Sequence, residues 1–247
     1  DHPWDRFGCE DPRETKLGGT YYIFYTAMAK TAYSKREIPG IALATTKDFK
    51  KIRKWGLIGP KPDQVRVKAA AIFPEKINGK IGMIFTWHPD KVDSTVLYTE
   101  FSNIRELLRP PKNYWDKVFG SFDEQVVLLP PRSALRGPEL GAPPVRTKKG
   151  WLLIYCGPAK TKKMWPIHAA LLDLKNPRKV IAYTENPILK PVKKYELKGI
   201  VSNVTFPEGA VILGNKLYVY YGAADSSCCL ATGNLNNLLS YLIKLSN

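Results

Sequence analysis

Three short stretches of this chain set carboxylates where a turn meets a strand: Glu10 and Asp11 in GCEDPRETKL, Glu139 in GPELGAPPVRT, and Glu208 in FPEGAVIL. A fourth stretch, KAAAIFPEKI, opens with Lys68 instead. One acid beside proline or glycine is ordinarily a turn former or a salt-bridge partner. Recurrence at equivalent points is different. Carboxylates gathered in a narrow, partly desolvated space repel, and the repulsion raises at least one pKa until the group keeps its proton at neutral pH. A protonated carboxyl facing a second carboxylate is the apparatus for cleaving a glycosidic bond. Trp87, Tyr114, Trp115 and Trp165 are the aromatic residues that could stack on sugar rings.

Such a meeting needs elements that bring distant segments together, and the chain repeats one small design. GTYYIFYT from Gly19, GKIGMIFT from Gly79, GWLLIY from Gly150 and GNKLYVYY from Gly214 are each a turn glycine followed by a β-branched and aromatic run. Each is followed by a second strand-like segment: IALATT, TVLYTE, HAALLD and CCLATG. A unit of about 55 to 75 residues holding three or four short strands cannot bury both sheet faces alone, and stacks on copies of itself as propeller blades. The expectation is an all-β single domain over residues 1–247, with blades near 8–65, 66–132, 137–200 and 201–247. The innermost strand of each blade lines the axis, which is where the four stretches above converge.

Composition narrows the function classes. The formal charge of +16 comes from 38 Lys and Arg against 22 Asp and Glu. The lysines are scattered through turns and form no nucleic-acid motif, so no nucleic-acid partner is expected. No apolar run is long enough to span a bilayer and no secretory pattern opens the chain, so no membrane is expected. Cys9, Cys156, Cys228 and Cys229 lack the spacing of a zinc site or disulfide framework, which points to a cytoplasmic protein. Three histidines without HxH or HxxxH spacing argue against a metal site. His168 opens a strand and is expected to pack there. No GxxxxGKS, GxGxxG or GxSxG element is present.

The run Gly8-Cys9-Glu10-Asp11-Pro12-Arg13 before a GxYYxxYT strand resembles glycoside hydrolase family 130, β-mannoside phosphorylases and mannosidases built on a five-bladed propeller. The likeness continues through FPEKINGK, GAPPVRTKKGWLLIY, ALLDLKNPRKVI, NVTFPEGAVI and YYGAAD, in the family's order. It implies a fifth blade ahead of the EDPR segment, so that an N-terminal blade is absent or incomplete in this sequence.

The resemblance implies cleavage of β-mannosidic bonds in a mannose-containing oligosaccharide. Asp11 would be the general acid, Glu10 and Arg13 would orient it and bind sugar hydroxyls, Lys68 would bind substrate, and Asp225 would hydrogen-bond the mannose. In the family's phosphorylases a lysine and a histidine help to hold phosphate. Gly137 and Cys156 stand at those positions here. Each lost charge-assisted bond removes roughly 1.5 to 3 kcal/mol, so the reading places inverting hydrolysis first, with Glu139 or Glu208 activating water roughly 6.5 to 9.5 Å from the acid. The alternative is phosphorolysis, with inorganic phosphate as co-substrate and Lys30, Lys68, Arg132 or Arg136 as replacement cations. No cofactor is expected in either case, and a homo-oligomer is open. A non-catalytic lectin or scaffold, or a propeller glycosidase acting on arabinosides or xylosides, are the other readings.

Overall fold

A computed structural model of the protein describes residues 3–29, 38–62, 64–88, 93–120, 127–131, 136–159 and 163–246. The architecture is an all-β propeller of four antiparallel blades in chain order. The first sheet holds β1 (Cys9–Leu17), β2 (Thr20–Ala29), β3 (Ile38–Thr46) and β4 (Ile52–Leu57). The second holds β5 (Val67–Ile72), β6 (Ile81–Trp87), β7 (Thr95–Phe101) and β8 (Val127–Leu129), with α1 (Ile104–Leu108) and α2 (Tyr114–Gly120) in the β7–β8 connection. The third holds β9 (Glu139–Leu140), β10 (Val145–Arg146), β11 (Trp151–Cys156), β12 (Ile167–Leu172) and β13 (Val180–Tyr183). After α3 (Lys194–Leu197), β14 (Thr205–Leu213), β15 (Lys216–Ala223) and β16 (Ser227–Asn234) form the last sheet, and α4 (Leu235–Leu245) follows. The described residues make four blades where the resemblance implied five.

The repeated glycines do what their spacing predicted. Asn78 and Gly79 both have positive φ, 52° and 80°, and Ile77 and Lys80 exchange both backbone hydrogen bonds around them. That two-residue turn matches the right-handed twist of the flanking strands. The strands are apolar because blades stack on both sides of them. β6, β11 and β12 are buried nearly throughout, and apolar clusters fill the spaces between the first and second sheets, the second and third, and the third and fourth with α4. The last sheet alternates instead, with Val211, Tyr220 and Leu230 exposed.

The four stretches named in the sequence are the inner strands. Three of them carry a β-bulge at the same station. The register slips between Glu10 and Arg13 in β1, between Lys68 and Ala70 in β5, and between Pro207 and Gly209 in β14. A bulge adds unpaired residues and re-aims their side chains. Here the added residues include Asp11 and Glu208. No helix among the described residues is long and apolar enough to cross a membrane.

Candidate active site

Arg13 stands at the centre of the axial groups, with 0% of its surface exposed. Its Nε donates to the Gly141 carbonyl, Nη1 to the Asp11 carbonyl at 2.7 Å, and Nη2 to the Leu140 carbonyl at 3.1 Å. Nη2 also lies 3.3 Å from Glu208 Oε2, and the guanidinium carbon sits 5.7 Å from the centre of the Phe206 ring. One cation thus ties the first, third and fourth sheets together. A buried guanidinium is tolerated because three carbonyls and the Glu208 carboxyl group replace its water. Arg13 cannot also bind sugar hydroxyls as expected, because no part of it is exposed.

Asp11 sits in the β1 bulge at φ 53°, a left-handed conformation that Asp adopts more readily than most residues. Its backbone is fixed by the Arg13 bond, while its partly buried carboxylate accepts no hydrogen bond from the described residues. Asp11 is therefore held in place by its main chain and left open at its acid.

Glu208 is the bulge residue of β14. Its Oε2 is sealed against Arg13, and the side chain as a whole is 27% exposed. A cavity of about 520 Å³ lined by Pro12, Glu14, Thr15, Gly209 and Tyr220 reaches it. Burial pushes the carboxyl up to about 8 despite the opposing pull of Arg13 and Lys68, and the charges of Asp11 and Asp225 add to the rise. Glu208 therefore holds its proton at neutral pH. The groups that act on it also show that Asp11, Arg13, Lys68, Glu208 and Asp225 share one electrostatic neighbourhood.

Glu139 pairs in register with Cys156 across β9 and β11, and is only 1% exposed. Burial, with the Glu139 charge next in size, lifts the Cys156 thiol well above its usual value. Thus Glu139 belongs to the cluster, but it is walled in where the sequence reading had it activate water. Inner-strand position alone could not reveal this, since β9 is only two residues long and is covered by neighbouring sheets.

Lys68 is 18% exposed and lies 3.5 Å from Glu10 Oε2. It is a cation of this neighbourhood that a ligand can reach. Asp225 is exposed at φ 52° in the turn between β15 and β16. Arg136 is exposed and pairs with no described carboxylate. Lys30 and Arg132 lie outside the described residues.

The aromatic candidates divide. Trp165, partly buried, is 6.3 Å from Phe206 and bridges to Val204 at the start of the last sheet, beside the cluster. Trp87 stacks on His88 at the end of β6, one residue beyond the partner of Lys68. Tyr114 and Trp115 do not line the site. They belong to α2, where Tyr114 stacks on Phe101 and Trp115 donates to the Ile58 carbonyl. Helical packing against the first two sheets claimed them, a role that residue type could not exclude. Phe206 was missed, although it lies in the NVTFPEGAVI run. His168 is buried, with Nδ1 3.2 Å from the Thr184 carbonyl, a packed residue as expected. No group of three His, Cys, Asp or Glu among the described residues could hold a metal ion.

Comparison with known proteins adds an independent finding. A family model described as β-1,4-mannooligosaccharide phosphorylase matches residues 1–244. The chain is 34% identical over 226 residues to a 1,2-β-oligomannan phosphorylase of Thermoanaerobacter sp., covering 89% of this chain and 66% of that protein. It is 32% identical over 252 residues to a β-1,2-mannobiose phosphorylase of Listeria innocua, covering 97% of this chain and 61% of that protein. A solved structure of a Listeria innocua β-1,2-mannobiose phosphorylase with β-1,2-mannobiose superposes with a TM-score of 0.79 at 31% identity, covering 98% of this chain and 62% of that one. The chain thus spans a little under two thirds of the length of these relatives.

Proposed function

The chain belongs to glycoside hydrolase family 130, and on that premise we propose that it cleaves β-mannosidic bonds of manno-oligosaccharides, β-1,2 linkages first, by inverting phosphorolysis. The observation that carries the reading is the meeting of Asp11, Glu208, Lys68 and the buried Arg13 at the inner strands. Asp11, open at its carboxyl, protonates the glycosidic oxygen as the C1–O bond breaks. A phosphate oxygen attacks C1 from the opposite face, forming α-mannose 1-phosphate and leaving the shortened oligosaccharide with the proton. Glu208, protonated, donates a hydrogen bond to a sugar or phosphate oxygen. Lys68 supplies positive charge to the phosphate, and Asp225 accepts from mannose hydroxyls.

The order of the two nucleophiles reverses the expectation drawn from the sequence. Hydrolysis requires a general base. Of the two candidates, Glu139 is sealed and Glu208 keeps its proton at neutral pH. Phosphate needs no such base, and the similar proteins named above are phosphorylases. One observation favours hydrolysis as the second reading: Cys156 is buried and neutral, so it offers a dianion no charge. Proton NMR of the sugar first released from β-1,2-mannobiose, with and without phosphate, tests both. Mannose 1-phosphate formed only with phosphate is the expected result. Mannose released at the same rate without phosphate would establish hydrolysis, and no turnover under either condition would remove the proposed activity.

A further inference from the structure

A second cavity, of about 610 Å³, opens between the β10–β11 turn and α4. Its floor is apolar: Ile212, Leu235, Leu239 and Ile243. Its rim carries Arg146, Lys148 and Lys149, with no carboxylate among the lining residues. Arg146 is engaged by Glu75 at 3.0 Å, whereas Lys148 and Lys149 are exposed and form no ion pair with the described residues. The volume is in the range of small-molecule sites, which combine an apolar lining with a few placed polar groups.

Both walls are fixed before any ligand arrives. The Thr147 hydroxyl accepts from the Lys149 and Gly150 amides and donates to the Gly150 carbonyl, which closes the lysine-bearing turn on itself. Opposite, the Leu235 amide donates to the Asn215 carbonyl and the Asn236 amide to the Asn215 side chain, which anchors the first turn of α4. A preorganised wall spares a ligand part of the ordering cost. Five residues of β11 separate this turn from Cys156, the partner of Glu139. At about 3.3 Å per residue, the cavity is roughly 20 Å from Glu139 along β11 and roughly 13 Å from Glu208, four residues from Ile212 along β14.

We infer that this cavity binds an amphiphilic anion, a molecule with an apolar chain or ring seated on Leu235, Leu239 and Ile243 and a phosphate-like head on Lys148 and Lys149. The inference does not depend on the mannoside reading, since Lys148, Lys149, Leu235, Leu239 and Ile243 lie outside the axial cluster, and Arg146, which lines both cavities, is engaged by Glu75.

Isothermal titration with octyl phosphate below its micelle concentration tests it, with inorganic phosphate and octanol as head-only and tail-only probes. One site is expected for octyl phosphate, with either half alone at least about tenfold weaker. Replacing both Lys148 and Lys149 with Ala should weaken octyl phosphate at least about tenfold, because charge-assisted contacts to the head are lost, while the octanol signal stays unchanged. Ser240→Trp, made at an exposed position of α4, should fill the cavity and abolish binding of both apolar probes without altering mannobiose turnover. Absence of octyl phosphate binding to the unmodified protein, or binding that survives both changes, would overturn the inference.

Discussion

The Arg13 guanidinium and the Glu208 carboxyl group meet at 3.3 Å across the junction of the first and last sheets. The same guanidinium holds the Asp11 carbonyl, so the residue proposed as the acid and the most perturbed carboxylate hang on one side chain. Removing the buried guanidinium leaves the Gly141, Asp11 and Leu140 carbonyls unsatisfied, at roughly 1 to 3 kcal/mol each and about 3 to 5 kcal/mol in all. Arg13→Met is expected to lose stability in that range, and Arg13→Lys less. Urea denaturation checks this, and a loss below about 1 kcal/mol would show that Arg13 is not a structural hub.

Asp11→Asn should lower turnover by about 10²- to 10⁴-fold, the usual contribution of a placed proton donor. Stability should remain near that of the unmodified protein, because Asn also tolerates the left-handed backbone at this bulge. Asp11→Val should lose activity and also about 1 to 2 kcal/mol of stability, since a β-branched residue is strained there. Product release and thermal melting of the two variants, measured side by side, separate chemistry from folding. An Asp11→Asn protein with full activity would remove Asp11 from the mechanism.

Glu208 should impose a recognisable pH dependence on stability. Its folded pKa of about 8 is above the ordinary 4.5, so the folded state binds the extra proton between those values. The stabilisation is complete below the ordinary value and is lost as pH rises through about 8. Glu208→Gln stays neutral throughout. Its denaturation midpoint relative to the unmodified protein should improve steadily from pH 5 to about pH 8 and level off above it. Parallel curves over that interval would mean that Glu208 is ionised in the folded protein at neutral pH, which would return it to the list of candidate bases.

Lys68→Met should raise the KM for phosphate about tenfold or more, with a smaller change in kcat, because a charge-assisted contact to the anion is lost. Lys68→Arg should recover part of the affinity. Initial rates at several phosphate concentrations decide the matter. Unchanged phosphate kinetics in Lys68→Met would assign phosphate binding elsewhere.

Much of this architecture is written locally. Turn glycines at Gly19, Gly79, Gly150 and Gly214, each followed by a β-branched and aromatic run, specify hairpins through backbone conformation and side-chain shape, which depend on near neighbours alone. Their recurrence announces stacked blades, and the acids preceding them mark the inner strands. Glu10, Asp11, Glu139 and Glu208 are accordingly legible in the sequence alone. Their environments are not. Whether a carboxyl is open like that of Asp11, proton-retaining like Glu208 or sealed like Glu139 depends on desolvation and on charges brought from other blades. Arg13 reaches Leu140 and Gly141, residues more than a hundred positions away. No feature near Arg13 in the sequence announces those partners. Chain order determined which groups could come to the axis; packing in three dimensions decided which of them keeps a proton and which can meet a substrate.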